Sequence, residues 1–98
     1  MRVILAEDSL LFREGLSRLL GELGIDVVAQ TGSTEDLQEL VAAHHPDVAV
    51  LDIRMPPTRT HEGLVAAVEL RRTHPRLGVL LLSQYVETQL ILTLLQEG

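Results

Sequence analysis

The sequence predicts an α/β fold with one open parallel sheet covered by helices. Short, continuous apolar runs alternate strictly with segments of helical period, four times over, and that alternation builds a parallel sheet with crossover helices. The apolar runs lack a polar alternate residue, as strands buried on both faces do. At 98 residues and 46% apolar the chain is one globular domain spanning residues 1–98.

The first strand is read at Val3–Ala6. Ser9 is placed to cap the helix that follows, in which Phe12, Leu16, Leu19, Leu20 and Leu23 recur at three- and four-residue spacing until Gly24 ends it. Ile25–Ala29 is the second strand. Ser33 is expected to cap a helix carrying Leu37, Leu40 and Val41, which stops at His44-His45-Pro46. Val48–Leu51 is the third strand, and a Pro- and Thr-rich loop, Met55–His61, leads into a helix built on Leu64, Val68 and Leu70 that ends at His74-Pro75. Val79–Leu82 is the fourth strand, and Tyr85–Glu97 the fourth helix. In that last helix Val86, Leu90, Ile91, Leu92, Leu94 and Leu95 cover more than half the circumference, whereas a helix lying on a sheet needs a stripe of roughly 100°. Such a helix is either wedged between the sheet and another element or presents a dimerisation face.

Composition excludes several classes of function. Net charge is −6 and aromatic content 2%, so the chain lacks both the basic surface that binds a phosphate backbone and the rings that stack on bases. Without cysteine there are no disulfides, thiolate metal sites or thiol nucleophiles. No stretch reaches the roughly 20 apolar residues of a membrane span, and the first apolar run is too short for a signal peptide, which makes a cytoplasmic location the expectation. All eight cationic side chains are arginines.

Oxygen-bearing side chains stand where the strands end: Glu7 and Asp8 after the first, Asp52 after the third, Ser83 after the fourth. In a parallel sheet these ends share one edge, where ligands of open α/β folds bind. Oxygen-only ligands suit a hard cation, and Mg²⁺ takes one or two carboxylates while keeping several waters. Such an ion offsets the repulsion among the carboxylates and neutralises an incoming phosphoryl group. An aspartate can then act as nucleophile, with the Ser83 hydroxyl donating to a phosphoryl oxygen. Asp and Ser are also common caps and turn formers at strand ends, but Asp52 is followed by Pro56 and Pro57 rather than by a helix start.

LAEDS followed by an amphipathic helix, then VLDIRMP, then LLLSQY, resembles the receiver domain of bacterial two-component response regulators, in the branch carrying LuxR-type DNA-binding domains. The resemblance covers the whole chain and implies a flavodoxin-like, three-layer arrangement with four of the usual five strand–helix units. It implies that Asp52 is the phosphoacceptor, supplied by a sensor histidine kinase, and that Glu7, Asp8 and the Arg54 backbone carbonyl join Asp52 around Mg²⁺. Ser83 then matches the hydroxyl that moves toward the phosphoryl group, and Tyr85 opens the switching helix. The family's fifth strand, which ends in a lysine, and its fifth helix have no counterpart before Gly98. That implies a chain truncated before this unit, with contact to DNA made only through a domain outside it. It also leaves the fourth strand as an apolar edge, so a homo-oligomer through the fourth strand and helix is expected.

Two alternatives differ in kind. One is a pseudo-receiver, a phosphorylation-independent module for protein interaction or dimerisation; the complete acidic set speaks against it. A phosphohydrolase of haloacid-dehalogenase type would need a second aspartate two residues after its nucleophile, and that position is Arg54. The expected chemistry is therefore that of a signalling phosphoacceptor, limited to phosphoryl transfer and autodephosphorylation. His44, His45 and His74 are assigned to helix C-termini, where imidazole interacts favourably with the helix dipole, and His61 to the long loop. Arg71, Arg72 and Arg76 form a solvated basic face.

Overall fold

A computed structural model describes residues 1–53 and 62–82 of the chain. The elements are β1 (Arg2–Ala6), α1 (Leu10–Glu22), β2 (Asp26–Thr31), α2 (Leu37–His44), β3 (Val48–Asp52), α3 (Glu62–Thr73) and β4 (Gly78–Leu82). The strands form one parallel sheet in the order β2-β1-β3-β4. The expected open parallel α/β sheet is thus present, with each strand within a residue or two of its expected bounds. The expected helix Tyr85–Glu97 and loop Met55–His61 lie outside the described residues.

The alternation of Cβ direction along each strand divides the core in two. Ile4, Ala6, Ala49 and Leu51 face one side and pack with Leu37 and Val41 of α2 and Ala67 and Leu70 of α3. Val3, Leu5 and Val50 face the other, under Leu16 and Leu20 of α1. Among the described residues the first side has two helices over it and the second has one.

That difference corrects the expected stripe on α1. Leu16 and Leu20 pack inward, but Phe12, Leu19 and Leu23 are exposed, and α1 buries no residue completely. A single helix over a strand pair meets the sheet along one narrow line, so the flanking leucines stay outside it. The Ser9 cap is present, its Oγ accepting from the Phe12 N–H at 3.3 Å, and Gly24 takes the left-handed φ of 80° after the helix ends.

Two further expectations are corrected. Ser33 does not cap α2, which begins later, with Asp36 at its N-cap position. The Ser33 N–H instead donates to Thr31 Oγ1 at 3.1 Å and its Oγ accepts from the Glu35 N–H at 3.1 Å, closing a turn that delays the helix. On α3 the buried positions are Gly63, Ala67 and Leu70, whereas Val68 is 42% exposed. Small residues face inward because α3 lies close against the end of β3. The histidine assignments agree with the structure for α2 and α3: His45 is the left-handed C-cap of α2, and the His74 N–H donates to Leu70 O at 2.8 Å.

Candidate metal centre

β1 and β3 are neighbours in register, Ala6 opposite Leu51, so the residues that follow them emerge side by side. Glu7 continues the strand by one hydrogen bond, its N–H donating to Thr31 O at 3.0 Å. Asp52 is the last residue of β3, paired with Leu82 on β4. One carboxylate oxygen from each of Glu7, Asp8 and Asp52 can be chosen so that all three lie within 4.8 Å of one another. Both Glu7 (1% exposed) and Asp52 (6%) are buried, and Asp8 is half-buried.

Adjacent residues of an extended strand point to opposite faces, yet Glu7 and Asp8 converge. The chain turns here. Glu7 Oε1 accepts from the Ser9 N–H at 3.0 Å, folding the glutamate back toward the loop that opens α1. Its other oxygen, Oε2, is buried without a hydrogen-bond partner. Such an oxygen is costly unless a proton or a cation meets it.

Burial pushes the Glu7 carboxyl up from 4.5 to about 7, against the lowering effect of the Ser9 N–H. The charge of Asp52 adds to the rise, as do hydrogen bonds that a protonated Glu7 makes with Asp52 and Asp8. A divalent cation and a proton therefore compete for the same place. The set is all oxygen, carries formal charge and leaves room for solvent on the Asp8 side, which fits Mg²⁺ and not a softer ion.

The structure brings together three of the expected residues, Glu7, Asp8 and Asp52. Ser83 and the Arg54 carbonyl lie outside the described residues. No other cluster of three or more metal-ligating side chains occurs among the described residues.

Sequence reasoning missed two residues that shape the site. Gly63, in the first turn of α3, donates its N–H to Ile53 O at 2.9 Å, and an ideal Cβ there would overlap the Asp52 carbonyl oxygen. The signal was a glycine opening a helix, where it is a poor helix former. Arg13 donates from Nη1 to Glu7 O at 2.6 Å. Its only signal was its place in the first helical turn after the acidic pair.

Comparison with known proteins identifies the family to which this fold belongs. The family model of the response regulator receiver domain matches residues 3–98. The transcriptional regulatory protein NarL of Mycobacterium tuberculosis is 37% identical over 99 residues, covering 100% of this chain and 44% of that protein. DegU of Brevibacillus brevis, also a transcriptional regulatory protein, is 33% identical over 99 residues, covering 100% of this chain and 41% of DegU. The chain thus spans less than half the length of these relatives. Among solved structures, the signal receiver domain of M. tuberculosis NarL superposes with a TM-score of 0.86 at 38% identity, covering 99% of this chain and 77% of that one. A LuxR-family DNA-binding response regulator from Staphylococcus aureus shares the fold, with a TM-score of 0.85 at 24% identity over 99% of this chain and 79% of its own.

Proposed function

The chain belongs to the response regulator receiver domain family, and from that premise we propose that it accepts a phosphoryl group on Asp52 from a sensor histidine kinase. The convergence of the Glu7, Asp8 and Asp52 carboxylates at the sheet edge is the observation that carries this proposal. An Asp52 carboxylate oxygen attacks the phosphorus of a phosphohistidine, the P–N bond breaks, and the freed imidazole nitrogen keeps the electron pair and takes up a proton. Hydrolysis of the acyl phosphate then returns Asp52 to its carboxylate.

Glu7, Asp8, Asp52 and the Arg54 carbonyl would hold Mg²⁺, which supplies charge neutralisation for the transferring phosphoryl oxygens. Burial of Asp52 keeps competing water from most of its surface, and the main-chain contact with Gly63 fixes where its carboxylate starts. Ser83, which follows Leu82 in the chain, would donate its hydroxyl to a phosphoryl oxygen. The relatives are named as transcriptional regulators. By that likeness we propose that the phosphorylated state controls a DNA-binding output in the cytoplasm, with contact to DNA made by a domain other than residues 1–98. No helix among the described residues is long and apolar enough to cross a membrane. A homo-oligomer through β4 and the segment after it is part of the same proposal.

Hydroxylamine trapping tests the assignment, since it converts an acyl phosphate to a hydroxamate at the residue that carried it. After reaction with phosphoramidate, the hydroxamate is expected in the peptide containing Asp52. A phosphorylated chain that yields no hydroxamate there would contradict the assignment.

A further inference from the structure

Two neighbouring carboxylates can serve one cation only if the peptide between them is held at the right angle. That peptide carries the Glu7 carbonyl, and the group bonded to this carbonyl is the Arg13 guanidinium, at 2.6 Å from Nη1. A charged donor on a half-buried carbonyl is among the stronger hydrogen bonds a protein makes.

The bond closes a circuit. The Ser9 N–H donates to Glu7 Oε1 at 3.0 Å, the Arg13 N–H donates to Ser9 O at 2.9 Å, and the Arg13 side chain returns to Glu7 O. The side chain and the carbonyl of Glu7 are therefore both tied to the first turn of α1. On its far side the guanidinium is limited by the loop after β2. An ideal Cβ at Gly32 would stand 2.9 Å from Arg13 Nη1, and 3.9 Å from both Asp8 Cα and Glu7 O. A side chain at position 32 would oblige the guanidinium to shift, so the glycine leaves it room between the two loops.

We propose that Arg13 is a positioning residue for the acidic centre, setting the Glu7–Asp8 peptide so that both carboxylates reach one cation, with Gly32 keeping its slot open. The proposal rests on the Mg²⁺ role assigned to Glu7, Asp8 and Asp52. Arg13 acts through the main chain, and its positive charge by itself repels the ion. Charge and position therefore predict opposite signs. Removing a nearby cation strengthens Mg²⁺ binding if charge alone matters, whereas releasing the peptide weakens it.

Titration with MgCl₂, followed through the backbone amide shifts of residues 7, 8 and 52, tests this on the wild type, Arg13→Ala, Arg13→Lys, Arg13→Met and the exposed-site control Arg18→Ala. Arg13→Ala is expected to weaken Mg²⁺ binding about tenfold, the scale of lost support behind a metal ligand. Arg13→Lys, which keeps a donor, recovers most of the affinity, and Arg18→Ala changes nothing. A folded Arg13→Ala protein that binds Mg²⁺ as tightly as the wild type, or more tightly, overturns the proposal. If Arg13→Ala does not fold, Arg13→Met decides: it keeps the apolar stem but has no donor for the Glu7 carbonyl, so unchanged or tighter binding overturns the proposal and a comparable loss supports it. A wild type that does not bind Mg²⁺ contradicts the functional assignment itself, and the role of Arg13 falls with it.

Discussion

Gly63 and Asp52 share a surface with no room for a side chain. The first turn of α3 lies on the end of β3, joined by the Gly63 N–H to Ile53 O, and a Cβ on Gly63 would overlap the carbonyl oxygen of Asp52. The buried backbone of the candidate phosphoacceptor is thus also the seat of a helix.

Gly63→Ala is expected to destabilise the fold by about 1–3 kcal/mol, the usual cost of overpacking a tight interior. The obstacle is backbone rather than a flexible side chain, so either α3 or the end of β3 must move. Urea unfolding measures the loss, and the rate of Asp52 phosphorylation is expected to fall with it. Wild-type stability would show that α3 shifts away freely.

Without metal, Glu7 makes stability depend on pH in a defined direction. Its carboxyl is raised from 4.5 to about 7 by burial first, with Asp52 adding to the effect. Between those values the folded chain binds more protons than the unfolded one, so its stability falls as pH rises. The contribution of Glu7 is fully present below about 4.5 and is lost as pH passes through about 7. Glu7→Gln removes this slope and is expected to be more stable than the wild type at pH 8 in EDTA. Urea midpoints across pH 4.5–8 check it; parallel profiles for the two proteins would contradict the assignment.

Added Mg²⁺ should reverse that loss. An ion that binds only the folded chain stabilises it by about 1.4 kcal/mol at ten times its dissociation constant. The effect is expected at pH 8 and to shrink below pH 7, where the Glu7 proton competes. Thermal melts with MgCl₂ and with EDTA measure it, and Glu7→Gln should lose most of the shift.

The far side of the sheet supports a prediction about assembly. Leu80 lies on the α1 side of β4, opposite Val50, and is 53% exposed. Among the described residues β4 pairs only with β3. An apolar strand that is unpaired on one side among the described residues is a template for pairing, so the 98-residue chain is expected to associate at micromolar concentration. Leu80→Glu should reduce the association. Light scattering that gives the monomer mass for the unsubstituted chain would remove this prediction.

The sheet and the three carboxylates were legible in the sequence because both are local signals. A continuous apolar run announces a buried strand, and a carboxylate at its end announces the sheet edge, so Glu7, Asp8 and Asp52 are placed by their positions after the strands alone. The cap of α2 was not legible. Ser33 is a good cap by type, but hydrogen bonds with Thr31 and Glu35 hold it in a turn. Val68 was misplaced because apolar periodicity favours large residues, while the buried side of α3 is set by how closely it approaches β3. Gly63, Gly32 and Arg13 escaped for the same reason. Gly63 and Arg13 act on main chain that the fold brings near, and Gly32 on the Arg13 side chain, contacts that apolar periodicity does not report.

Asp52 is proposed to take a phosphoryl group with the help of the acidic centre. Intact-mass spectrometry of the chain after incubation with phosphoramidate, with and without Mg²⁺ and beside Asp52→Asn, tests it most directly. A single added phosphoryl group that requires both Mg²⁺ and Asp52 is expected. An unmodified chain in the presence of Mg²⁺, or equal modification of Asp52→Asn, would contradict it.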